Sequence, residues 1–132
     1  MIFNKKRLEE QYQNITAYLS VHQDIVNEIE GLKKYHENAL LDEKIVKTNG
    51  VLMAIYYYYL EDIKEEALKM KTATEEEKKE IQIRIESDKF FIDSLEKSMP
   101  IYNQVLNALE QKNILEKKLG IASLEEREER KV

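Results

Sequence analysis

Val51-Leu52-Met53-Ala54-Ile55-Tyr56-Tyr57-Tyr58-Tyr59-Leu60 is an unbroken apolar run that closes on four consecutive tyrosines. In an α-helix each residue turns about 100°, so four neighbours sweep roughly 300° around the axis. Such a segment cannot face a single core. Leu52, Ile55, Tyr56, Tyr59 and Ile63 form one stripe, suited to packing against a following helix. Tyr57 and Tyr58 point elsewhere, accompanied by Val51, Met53, Ala54 and Leu60. Those rings either lie under the first helix of the same chain or form a surface for a second protein.

The rest of the 132-residue chain also reads as helix. It holds three glycines, one proline and no cysteine or tryptophan, while 36% of its residues are charged. Sheet domains with many turns need more Gly and Pro. Leu8, Tyr12, Ile15, Leu19, Val26 and Ile29 recur at helical spacing and predict a first helix from about Asn4, a candidate N-cap, to Glu30. Gly31 either ends that helix or lies within a longer one. Asn49-Gly50 is a turn signal. The preferred division starts a second helix after Gly31 and carries it through Gly50 to about Lys71. The other runs the first helix to Thr48 and restarts at Val51.

Thr72 to Glu77 is the clearest boundary. Thr74 and Glu77 have the spacing of a capping box, with acids in the first turn. In the third helix Ile85, Ile92, Met99 and Leu106 step by sevens, as in a coiled-coil seam. Pro100 falls inside this pattern and predicts a kink near Lys97, or a new helix capped by Ser98. Leu119-Gly120 is a stop signal. Folding the second helix on the third about Ala73 sets Tyr56 level with Lys89 and Phe90, and Leu40 level with Leu106. Glu-to-Lys pairs four apart, such as Glu65/Lys69 and Glu75/Lys79, mark wet faces.

The expected fold is therefore all-α: an elongated antiparallel three-helix bundle with coiled-coil-like packing, or four helices if Gly50 or Pro100 breaks one. Residues 1–120 form its single domain. Residues 121–132 read as a charged, flexible tail.

Chemistry is sparse. His22 and His36 lack a carboxylate or second histidine three or four residues away, so no metal site is expected. Isolated glycines exclude a phosphate loop, and no serine has nucleophile context. No cofactor and no enzymatic activity are expected. Asp88 lies between Ile81 and Leu95 on the apolar stripe, and Asn113 follows Leu106. Both read as buried polar residues that set helix register, Asp88 by pairing with a Lys or Tyr of the second helix.

A net charge of −5, with Glu and Lys interleaved, argues against nucleic acid as a partner. No apolar run is long enough for a membrane span, and no secretory leader is legible. Absence of cysteine fits a cytoplasmic protein. Lys over Arg, with frequent Ile, Asn and Tyr, is a composition associated with AT-rich genomes of Gram-positive bacteria and their phages.

The functional expectation is a non-enzymatic protein–protein interaction module: a small adaptor, a chaperone or a phage-encoded inhibitor. Met53, Tyr57, Tyr58 and Leu60 form its candidate surface. The alternative is a self-assembling homo-oligomer, in the simplest case a dimer, joined through the same tyrosines.

Overall fold

The computed structural model describes residues 2–120, with side chains from residue 4 onward. Their regular structure is entirely helical, as expected. The elements are α1 (Ile2–Val21), α2 (Gln23–Tyr35), α3 (Glu43–Asn49), α4 (Val51–Lys69) and α5 (Glu75–Leu119). The region expected to be a charged tail lies outside the described residues.

α1 begins at Ile2, so Asn4 is a helical residue and not a cap. The course runs almost unbroken into α2. The His22 N–H donates to the Tyr18 carbonyl, and the His22 carbonyl accepts from both Ile25 and Val26. Gly31 lies inside α2 with open space around it, so it neither ends a helix nor starts one. The break comes later, between Tyr35 and Glu43. There the His36 ring takes over local hydrogen bonding, with Nδ1 2.8 Å from the Leu32 carbonyl. A nitrogen facing a carbonyl must donate. Asp42 then caps α3, its Oδ1 accepting from the Lys44 N–H at 2.9 Å and the Ile45 N–H at 3.4 Å.

Gly50 ends α3 at φ +92°, a conformation open to glycine and rarely to other residues. Asn49-Gly50 is thus a true reversal, and the preferred reading of one helix through Gly50 is overturned. The short α3 folds back to pack on α4. Neither reading of the sequence placed a separate helix over residues 43–49.

Thr74 caps α5 as anticipated, its Oγ1 accepting from the Glu77 N–H at 3.3 Å. α5 then runs 45 residues with Pro100 inside it. The expected new start at Ser98 does not occur. Proline there removes one ladder hydrogen bond, and α5 runs on through it. Gly120 closes it at φ +71°.

The described chain divides into two compact units, 2–28 with 101–120 and 29–100. In the first, α1 and the start of α2 run antiparallel to the end of α5. Asn4, Lys5 and Leu8 share a shallow depression with Lys118 and Leu119, and the Tyr102 hydroxyl donates to Glu28 Oε2 at 3.2 Å. Leu19, Val26, Val105 and Leu115 are buried there. In the second, α4 and the first half of α5 form the antiparallel hairpin. Its buried residues include Leu52, Ile55, Ile81, Ile85, Ile92 and Leu95.

The hairpin register differs from a fold about Ala73. Tyr59 stacks on Phe91, and Arg84 pairs with Glu66. Each partner on α5 lies four residues, one helical turn, beyond the expected position. Leu40, expected to face Leu106, is 94% exposed. The ion pairs also fall at different spacing: Glu61/Lys64, Glu66/Lys69 and Glu75/Lys78 are three apart, not four.

Two substitutions separate the glycines. Gly31→Ala relieves a mid-helix glycine and is expected to raise stability by about 0.5–1 kcal/mol. Gly50→Ala forces a side chain into positive φ and is expected to cost about 1–2 kcal/mol. Urea denaturation of both variants checks the opposite signs. Equal effects would contradict the break at Gly50.

Candidate functional site: a tyrosine-walled groove beside a buried carboxylate pair

The four tyrosines divide as their helical angles require. Tyr56 turns toward α5 and its hydroxyl donates to Glu96 Oε1 at 2.5 Å. This hydrogen bond to a carboxylate, more than any other influence, raises the Tyr56 hydroxyl above its ordinary pKa. Tyr59 stacks on Phe91 with ring centres 4.2 Å apart and lies 2.9 Å from His36 Nε2. Because Nδ1 of His36 is the donor to Leu32, the neutral ring accepts at Nε2, so the Tyr59 hydroxyl donates. Burial raises the Tyr59 hydroxyl as well and keeps it protonated. His36 is thus a packed residue with both nitrogens engaged.

Tyr57 and Tyr58 face outward, 42% and 40% exposed. They line a groove of about 440 Å³ whose other apolar walls are Leu40, Ile45 and Ala54. Leu40 is 94% exposed, a large apolar side chain almost wholly in water. The groove exists because Gly50 folds α3 and the preceding turn back beside α4. Its rim is acidic: Asp42, Glu61, Asp62 and Glu65. Glu61 is paired with Lys64 at 3.3 Å, and Asp42 is engaged in capping α3. Glu65 has no ion-pair partner among the described residues. Met53 and Leu60, expected on the same surface, are half-buried and do not line the groove.

Asp62 also connects inward. It is half-buried, and its carboxyl group lies near enough to Asp88 of α5 to raise the pKa of that residue. Asp88 is 7% exposed, and its Oδ2 is sealed from solvent without a hydrogen-bond partner. Burial, then the neighbouring carboxyl group of Asp62, push the Asp88 carboxyl up to about 7, against the pull of Arg84. The partner expected for Asp88 was a Lys or Tyr; the structure gives it another carboxyl group.

One turn away, Glu66 is almost fully buried and accepts from Lys69 at 3.1 Å and Arg84 at 3.0 Å. The Lys69 hydrogen bond and then that of Arg84 hold Glu66 below the usual carboxylate range, against the effect of its burial. Asp62 and Glu66 were legible in principle: the stripe Leu52, Ile55, Tyr59 extended by three and then four residues lands on both. Asn113 is exposed, so its assignment as a buried register residue is corrected. A straight helix slips about 20° against each seven-residue step. The buried positions accordingly pass to Val105, Leu115 and Glu116.

No cluster of three His, Asp or Glu side chains among the described residues could hold a metal ion. No helix among them is long and apolar enough to cross a membrane. Compared with protein-family models, curated proteins and solved structures, the chain shows no significant match.

The buried pair predicts a pH dependence. Asp88 has a folded pKa above its unfolded value, so folding takes up a proton between about pH 4 and pH 7. The Asp88 contribution to stability is therefore fully present below about pH 4, falls as pH rises to about 7, and levels off above it. Asp88→Asn supplies a permanently neutral side chain of the same shape. It is expected to add on the order of 2 kcal/mol at pH 8 and little at pH 4. Thermal melts at both values check this, and equal shifts would contradict a raised Asp88 pKa.

Proposed function

We propose that this chain is a protein-binding module that acts through the groove between α3 and α4 and performs no catalysis. The observation that carries this reading is the pair Tyr57 and Tyr58, set side by side at the groove with exposed Leu40 opposite. Tyrosine contributes a large rigid apolar surface and keeps a hydroxyl for a polar contact, which is why it concentrates at interfaces. Apolar side chains left in water around a concavity are the ordinary mark of a docking surface. Catalysis has less support: His36 spends both nitrogens internally, and Asp88 is sealed. An adaptor, chaperone or inhibitor would all work through such a surface. A cytoplasmic location accompanies this reading, supported by the absence of cysteine.

A second reading, self-assembly, has its own observation. Ile83 and Phe90 lie exposed, two turns apart on α5. They form an apolar strip of the kind that pairs copies of a helix.

Light scattering coupled to size exclusion, over a wide concentration range, separates the two. An interaction module of the first kind is monomeric alone. Tyr57→Ala with Tyr58→Ala then leaves mass and helicity unchanged and removes partner binding. A self-assembler shows mass rising with concentration, reversed by Ile83→Ser with Phe90→Ser. A parallel loss of helicity and melting temperature in the tyrosine variant, with association intact, would assign those rings to the core and sink the groove reading.

A further inference from the structure

The groove also specifies the chemistry of its partner. We infer that it receives an amphipathic helix from a basic protein, whose apolar face packs on Tyr57, Tyr58, Leu40 and Ile45 and whose lysine or arginine ion-pairs with Asp62. This rests on the groove being a protein-binding surface. Charge complementarity carries it further.

Apolar walls and an acidic rim call for an apolar stripe flanked by cations. From Ala54 to Glu65 the α4 wall covers about three turns, roughly 16 Å, enough for an i, i+3/i+4, i+7 set of side chains. Asp62 is the natural anchor because it lies on the rim and also near the sealed Asp88. A cation arriving at Asp62 supplies the positive charge that this pair lacks. Anionic membrane surfaces are disfavoured by the same rim and by a net charge of −5.

Binding should then be linked to protons. The groups facing Asp88 are Asp62, Glu66 and Tyr59 of α4 and Arg84 of its own helix. Tyr59 in turn meets His36, and Tyr35 at the end of α2 acts on it electrostatically. Arg84 is already held by Glu66 at 3.0 Å, so it does not neutralise the pair. An incoming ammonium or guanidinium favours release of the Asp88 proton. Affinity should therefore rise with pH through about 7.

The test is calorimetric titration of the full chain with a synthetic leucine–lysine amphipathic helix of about four turns. The same residues in scrambled order, a leucine–glutamate counterpart and spermine serve as comparison probes. Expected are binding of the leucine–lysine helix alone, a gain of roughly fivefold between pH 6 and pH 8, and a loss of about tenfold in Asp62→Asn with the pH dependence abolished. Glu65→Gln, on the exposed rim, should weaken binding about threefold without touching the fold, and serves if Asp62→Asn does not fold. Equal binding of the scrambled peptide or of spermine would overturn the inference, as would no binding or unchanged affinity in both variants. If the leucine–lysine helix fails while Tyr57→Ala with Tyr58→Ala still removes association with another protein, the basic partner falls and the interaction reading stands. If that variant changes no association either, both fall.

Discussion

The groove depends on one backbone constraint: Gly50 at φ +92°. With a residue confined to negative φ, the helical course from Glu43 could continue into α4. Leu40 and Ile45 would then lie along the helix axis, not beside Tyr57 and Tyr58. The reversal places a short helix, capped by Asp42, next to the outward face of α4. Seven residues of α3 are too few to cover that face. A groove with aromatic walls is the result, and its exposure follows from the shortness of α3 and not from any special chemistry of tyrosine.

Behind the groove lies a layer that the hairpin could have made apolar. Leu and Ile at positions 62, 66 and 88 would fit the stripe and avoid the desolvation cost of carboxylates. Instead α4 and α5 meet there through Asp62 with Asp88 and Glu66 with Arg84. The second pair is compensated by two cations. The first is not, and burial together with the charge of Asp62 pushes the Asp88 carboxyl up to about 7. Buried ionisable groups without full compensation weaken a monomer, so their presence fits a surface whose charge state matters to a partner. Asp62 links the layer to the groove because it belongs to both.

Much of this arrangement was legible in the chain. The sweep of four tyrosines required two rings to leave the core, and Tyr57 and Tyr58 do. Thr74 and Glu77 announced the start of α5, and Gly120 its end. The α4–α5 hairpin followed from apolar matching, though one turn out of register, because the span between the helices is only approximately placed by composition. Other features obeyed signals that compete. Pro100 predicts a kink or a new helix start from local chemistry, and α5 shows no new start there. Asn113 fitted a strict heptad, which a straight helix does not keep over four heptads. The groove itself was hidden because its walls come from Leu40, Ile45 and Tyr57, brought together only after Gly50 is read as a reversal. The carboxylate pair was half visible in Asp88 and needed the register to reveal Asp62.

The decisive observation is where a partner touches the chain. Fluorine NMR with 3-fluorotyrosine reads that directly, since all eight tyrosines report separately and Tyr→Phe variants assign them. On titration with the leucine–lysine helix, the resonances of Tyr57 and Tyr58 should move first and furthest, with Tyr59 following through the Asp62–Asp88 layer. Tyr12, Tyr18 and Tyr102 should stay in place. Shifts spread evenly over all eight, or confined to those three, would contradict a binding groove at α3 and α4.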